Sequence, residues 1–379
     1  MNGLVRHVGA SYPEKELALL GSKPLQRPQP IIKVDRTAYI MFEKPDLMEQ
    51  HRFLRDFGMT EAASTDDAIY MRGAGTDPYF YVAKKGKSSK YVGVGFAVNT
   101  RAELLELQRT VPGTAIEAVD GPGGGERVRL VDPDGFLVDV VYGRKEVEPL
   151  PLPPRVHTFN SPLKKERINV TLRPPLAPTP VYRFAHVVLG AVSFEISAQW
   201  YMRHLGLIPS DVQCLADGTP ALAFMRLDRG VQPADHHSVV VAGIMQSKYL
   251  HSAYETSDID AIGQGHQILK AAGWKHFWGI GRHALGSQLF DYWLDPYGHE
   301  LEHYADGDVF DVFSPAGYHF LDLGGMWMWG DDIPQSLRKG PSLSEKLRAL
   351  AGVMTGKLSG EKLKLTAKAL GRKARPWLR

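Results

Sequence analysis

Disulfides have no place in this chain: its 379 residues include one cysteine, Cys214. A lone thiol excludes an internal bridge and any zinc cluster built on cysteine. It suits a reducing compartment, so a cytoplasmic protein is expected. Long apolar runs are missing too. No stretch reaches the roughly 18 residues that a membrane helix needs, and the opening MNGLVRHVGASYPEK lacks the apolar core of a signal peptide. No membrane partner is expected. Nor does one sign of charge dominate, with 45 Lys and Arg against 42 Asp and Glu. The small excess is unevenly placed. Arg338 to Arg379 carries twelve Lys and Arg against two Glu, about +10, which leaves the rest near −7. That describes a basic tail, solvated or packed in an oligomer, rather than a body that binds nucleic acid. What the chain does have is histidine, 14 of them. A bound metal would rest on His, Asp and Glu.

The length exceeds what one ordinary core holds and predicts two domains. The proline-dense stretch 149–180 reads as an extended linker between them. Residues 1–29 form an N-terminal arm, 30–148 and 181–308 the two domains, and 309–379 an aromatic segment followed by the basic tail. "SFEISAQWYMRHLGL" has helical apolar spacing at Phe194, Ile196, Trp200, Tyr201 and Leu205, with Gly206 as the stop. In the tail, Leu343, Leu347, Leu350, Met354 and Leu358 share one helical face, which predicts a docked helix. "GPGGGE" (Gly121–Glu126) resembles a phosphate loop but lacks the strand–helix frame, so a hairpin is expected.

The two halves repeat one another. "RTAYIMF" at Arg36 matches "RFAHVVL" at Arg183, "RDFGM" matches "RHLGL", and the two segments starting "KY" at Lys90 and Lys248 correspond. "LVDPDGFLVDVVYG" at Leu130 matches "LDPYGHELEHYADG" at Leu294. Each half itself reads as two units of strand, helix and several strands. The expected fold is α+β: four βαβββ modules in two domains, each pair closing into a half-barrel around a cavity.

Alignment of the halves singles out three side chains. Tyr39 falls opposite His186, Gly93 opposite His251, and Asp139 opposite Glu302. Strand alternation does not separate Glu302 from Glu300, because residues two apart share a face. The repeat does: Glu302 faces a carboxylate in the other copy, whereas Glu300 faces Leu137. Two imidazoles and one carboxylate on three strands of one cavity make a facial triad, a ligand set that suits non-haem Fe(II) and leaves positions open. Mn(II) suits the same donors. The charge left over favours an anionic, chelating substrate.

These residues resemble the extradiol, ring-cleaving catechol dioxygenases of the vicinal oxygen chelate superfamily. The resemblance covers about residues 30–310. It is carried by "FAHVVL", "HHSVVVAGIMQSKYLHSAYE" and "GRHALGSQLFDYWLDPYGHELEHY", and by the spacing His–x8–Tyr–x9–Glu at His283, Tyr292 and Glu302. It implies His186, His251 and Glu302 as Fe(II) ligands and His237 as the acid/base. It also implies that His283 and Tyr292 contact the bound catecholate and oxygen. The substrate implied is a substituted catechol with O2, the product a muconic semialdehyde-type acid of aromatic catabolism. Of His236 and His237, alternation lets one face inward, and the family position favours His237. His299 and His303 are expected on the outer face. The first half corresponds to the family's metal-free domain, and a homo-oligomer is expected. "YHFLDLGGMWMWGDD" (Tyr318–Asp332) is a candidate cover for the cavity mouth or a subunit contact. Two other functions remain open. A metal-dependent glyoxalase-like isomerase or lyase keeps the triad without needing His237, His283 and Tyr292 together. A non-catalytic resistance protein that sequesters an aromatic needs no triad.

Overall fold

The computed structural model describes residues 24–152, 159–173, 176–322, 326–334, 343–355 and 359–370. Most of the N-terminal arm and parts of the linker and tail, Leu358 included, lie outside them. Four times the chain runs strand, helix, then three strands. The first module is β1 (Arg36–Lys44), α1 (Leu47–Asp56), β2 (Thr60–Ser64), β3 (Ala68–Arg72) and β4 (Tyr81–Lys85). The second is β5 (Lys90–Ala97), α2 (Arg101–Thr110), β6 (Ile116–Ala118), β7 (Glu126–Val131) and β8 (Leu137–Tyr142). The third has β9 (Phe184–Ala191), α3 (Phe194–Leu205), β10 (Ile208–Cys214) and β11 (Pro220–Arg226). A short strand, β12 (Ala234–Asp235), precedes its last one, β13 (Val239–Gly243). The fourth is β14 (Lys248–Glu255), α4 (Ile259–Ala271), β15 (Lys275–Arg282), β16 (Leu289–Leu294) and β17 (Glu300–Ala305). Short strands β18 (Val309–Phe310), β19 (Gly317–Phe320) and β20 (Trp329–Gly330) follow, then helices α5 (Leu343–Met354) and α6 (Gly360–Leu370).

Local chemistry fixes the boundaries. Asp46 caps α1 by accepting from the Met48 and Glu49 amides, and Asp258 caps α4 through the Ala261 amide. Gly206 ends α3 in the left-handed region, where a side chain would be strained. Asp132 and Asp295 make the same turn in the two halves. Each accepts from the amides two and four residues on, ahead of β8 and β17 respectively. The Gly121–Glu126 stretch is a hairpin connection, since β6 pairs antiparallel with β7.

The repeat is exact at the level of strand order. The first sheet runs β2-β3-β4-β1-β5-β8-β7-β6 and the second β19-β10-β11-β13-β9-β14-β17-β16-β15-β20. Without the added edges β19 and β20, the second order is the first with each strand replaced by its counterpart. The register agrees. Tyr39 pairs Gly95, which pairs Asp139; His186 pairs Ala253, which pairs Glu302. Gly93 pairs Leu137 as His251 pairs Glu300. Even the irregularities repeat: β5 slips against β1 between Tyr91 and Gly93, as β14 slips against β9 between Tyr249 and His251. Such bulges re-aim side chains.

One hydrophobic core runs through both halves, joining Phe57 and Phe80 of the first to Phe184 and Tyr254 of the second. Buried Lys44 crosses to Asp295, with His299 Nδ1 2.8 Å and Ser89 Oγ 3.2 Å from its nitrogen. His303 is also buried there, 2.7 Å from the Phe57 carbonyl and stacked on its ring. Both histidines point away from the cavity face, as expected, but they are covered by the first half instead of facing water. The tail differs more. Leu347, Leu350 and Met354 of the predicted docking face are exposed, so that face is not packed on the described body. Among the described residues no helix is long and apolar enough to cross a membrane.

Candidate metal centre and active site

Five adjacent strands of the second sheet, β9, β14, β17, β16 and β15, present one row of side chains: His186, Ala253, Glu302, Tyr292 and Trp278. His251 stands one step along β14. His283 follows β15, and His237 precedes β13 on the other side of β9. All six predicted site residues therefore meet at one place. Ala253 sits between His186 and Glu302 in the row, and its small side chain leaves space between them.

The distances are those of a ligand shell. Glu302 Oε2 lies 3.2 Å from His186 Nε2 and 3.5 Å from His251 Nε2. Ligands about 2.1 Å from a common ion at right angles are roughly 3 Å apart. Glu302 is fully buried, yet neither carboxylate oxygen accepts a hydrogen bond. A buried carboxylate without donors is costly unless something cationic completes it. Electrostatics sort the two carboxylates. Burial alone would raise Glu302, but His186, His283 and His251 outweigh it and hold the carboxyl below its usual range. Glu300, by contrast, is pushed up to about 8 by burial, partly offset by Lys248. Burial brings His251 down to about 3, against the pull of Glu302, which leaves the neutral imidazole that a metal requires.

A second group flanks the triad. His283 Nδ1 donates to the Met326 carbonyl at 2.6 Å, so its Nε2 is the acceptor for the Tyr292 hydroxyl at 2.8 Å. Burial and the Glu302 charge raise the Tyr292 phenol well above its ordinary value, so it stays protonated. Phe290 stacks on His283 at 4.1 Å, and Trp278 lies parallel to Tyr292 at 5.6 Å. Trp327 and Ile333 close the same cluster. The described part of the Tyr318–Asp332 segment thus folds back beside the site, with Trp329 paired to Arg282. Elsewhere in the second half, Phe194 belongs to the main core and Trp200 packs on His204.

His237 lies against His186, ring centres 4.1 Å apart, and burial with the neighbouring imidazoles holds it well below the usual histidine range. The sequence turns His236 away from the cavity. It does turn away, but it is buried and bonded: its Nδ1 meets His237 Nδ1 at 2.9 Å and its Nε2 meets Asp211 at 2.7 Å. His319 holds the other Asp211 oxygen at 2.7 Å. Asp211 and His319 sit on the paired strands β10 and β19, and no local motif announced them.

The first half shows what the same framework does without the triad. Tyr39 donates to Asp139 at 2.8 Å, and Arg129 grips both Asp139 oxygens at 2.8 Å. Tyr39 also fills the space beside Gly95, where a Cβ would lie 2.9 Å from its ring. At Gly93 a Cβ would fall 2.0 Å from the Leu137 carbonyl oxygen. A further His–His–Asp cluster, His266, His276 and Asp291, lies on the opposite face of β16. Its carboxylate is already satisfied by Trp293 Nε1 at 2.6 Å, His276 at 2.8 Å and His266 at 3.2 Å.

No protein-family model matches the chain. It is 28% identical over 318 residues to metapyrocatechase 2 of Cupriavidus necator, across 82% of this chain and 93% of that one. The substrate complex of homoprotocatechuate 2,3-dioxygenase from Brevibacterium fuscum superposes with a TM-score of 0.67 at 19% identity, covering 83% and 94%. The Mn(II)-bound glyoxalase from Novosphingobium aromaticivorans gives 0.67 at 19%, covering 82% and 95%. The chain is thus similar in sequence to a metapyrocatechase and shares its fold with a dioxygenase and a glyoxalase.

Proposed function

We propose that the protein opens a substituted catechol beside its two hydroxyls, adding both atoms of O2 to give a muconic semialdehyde-type acid. Fe(II) is held by His186, His251 and Glu302. The observation that carries this reading is Glu302: buried, with neither carboxylate oxygen in a well-formed hydrogen bond, and flanked by two imidazole nitrogens at 3.2 and 3.5 Å. The likeness to a metapyrocatechase supports a catechol over other chelating substrates. Mn(II) suits the same donors. Residues 30–148 and 181–308 are taken as the two domains, the second catalytic.

When bound, the cation supplies Lewis acidity toward the catechol hydroxyls and reactivity toward O2. The side chains manage the protons. His237 is neutral in its buried setting, so it can take a catechol proton and return it as the ring opens. Tyr292 and His283 form a hydrogen-bonded pair whose proton can turn toward charge developing on a substrate oxygen. Trp278, Phe290 and Trp327 keep water from this side, which strengthens each polar contact.

The test is anaerobic purification, metal analysis, then oxygen uptake and yellow ring-opened product across a panel of catechols. His186→Ala, His251→Ala and Glu302→Ala should each lose most of the metal and the activity with the fold kept. Glu300→Ala should keep the metal. Full metal loading with no oxygen uptake from any catechol would overturn the reading in favour of an isomerase. Metal lost from Glu300→Ala but kept by Glu302→Ala would overturn the ligand set.

A further inference from the structure

We propose that His236, which meets no member of the triad, is a positioning residue. Through its Nδ1 it fixes the tautomer of His237, so that the His237 Nε2 carries the lone pair. The proposal builds on the reading of His237 as the site's proton acceptor.

The network runs inward from Asp211. Its two oxygens lie 2.7 Å from His236 Nε2 and 2.7 Å from His319 Nε2. Burial would raise this carboxyl, yet the two imidazoles bring it down to about 2, so it is ionised and can only accept. His236 Nε2 is then a donor and carries a hydrogen. A neutral imidazole protonated on Nε2 has its lone pair on Nδ1. That atom faces His237 Nδ1 at 2.9 Å, so beside a neutral His236 it is His237 that donates there. The hydrogen of neutral His237 is therefore committed to Nδ1, and Nε2 is left bare. The bond made by one ring nitrogen decides the state of the other.

The network is built into the backbone. Parallel pairing of β10 with β19 sets Asp211 opposite Gly317 and brings His319 alongside. A Cβ at Gly317 would lie 2.1 Å from Asp211 Oδ1 and 2.8 Å from His319 Nε2. A glycine there is what lets the carboxylate reach both imidazoles. His236 packs edge-on to Phe310, 5.6 Å between ring centres, and against Phe224 at 5.5 Å. Packing alone would be served by a phenyl ring and would not require Asp211.

The test compares two isosteres in the full chain. His236→Asn places an amide oxygen near the old Nδ1 and still accepts from His237. His236→Gln reaches Asp211 but leaves His237 without an acceptor. Nitrogen-15 spectra of histidine-labelled protein, taken before metal loading, should show His237 protonated on Nδ1 in the wild type and in His236→Asn. Both tautomers should appear in His236→Gln. In Asp211→Asn the amide donates to His236 and the tautomers along the chain should reverse. With metal restored, kcat should fall roughly 10- to 100-fold in His236→Gln and Asp211→Asn. KM and metal content should hold, and Asn should recover much of what Gln loses. A wild-type His237 protonated on Nε2, or Asn and Gln variants that are indistinguishable, would overturn the proposal. Should His237→Phe turn over at the wild-type rate, the catalytic reading of His237 fails while the tautomer result stands.

Discussion

Asp139 and Glu302 occupy the same place in two copies of one framework, and their neighbours decide their fates. Arg129 meets both oxygens of Asp139, so no room or charge remains for a cation. Glu302 meets imidazoles that can surrender their nitrogens to one. Without Arg129, buried Asp139 keeps only the Tyr39 hydroxyl and a more distant Arg127 at 3.8 Å. Arg129→Leu should therefore destabilise the protein by about 3 kcal/mol, and Arg129→Leu with Asp139→Leu should restore most of it. Urea midpoints of the three proteins check this. At the site itself, His237→Phe should keep metal and substrate binding and lose turnover by roughly 100-fold, as expected for a lost acid/base. Steady-state kinetics at matched metal content separate that from a binding defect, which would move KM.

The elements explain why some of this was legible and some was not. Glu302 was distinguishable from Glu300 in the sequence because the repeat supplied a second copy, and the paired registers bear out that alignment. Helix ends were legible where one residue decides them, as at Gly206. The Asp211–His236 contact was not. Its partners are 25 residues apart, one on β10 and one in the link between β12 and β13, and His319 arrives from 108 residues beyond Asp211. Alternation correctly turned His236 from the cavity but carried no information about what waits on the other face. The return of β20 onto β15 was hinted at by composition alone, since Gly281 and Arg282 pair with residues 49 and 47 positions downstream. That return covers His283 through Met326 and Trp327. Trp327→Ala should cost about 3–5 kcal/mol by the usual scale for a buried aromatic. It should raise KM for the catechol while metal analysis stays unchanged.

For the whole molecule, the Lys44–Asp295 pair fastens one half to the other inside a shared core. Burial raises Asp295, but His299 and Lys44 bring it to about 2, against about 3.9 when unfolded. A carboxyl depressed on folding adds stability that is fully present above the unfolded value and is lost as pH falls through the folded one. Chemical-denaturation midpoints should therefore drop between about pH 4 and pH 2, and less so in Asp295→Asn. At pH 7 the same variant leaves Lys44 buried and unpaired, and should cost about 3–5 kcal/mol. Truncation after Pro334 should leave metal binding intact. All three proposed ligands precede the cut, and the exposed face of α5 contributes no cover to them.

The close approach at Gly93 makes the difference between the two halves a one-way door. A histidine cannot be returned to that position while the Leu137 carbonyl stands 2.0 Å from where its Cβ must go. Tyr39 and Arg129 could each be exchanged by a single substitution, but β5 and β8 would have to move apart to readmit the third donor. In the second half one substitution can remove a candidate donor, whereas in the first the main chain itself bars a histidine at Gly93. The asymmetry of the molecule is locked in by main chain, where selection on side chains has no purchase.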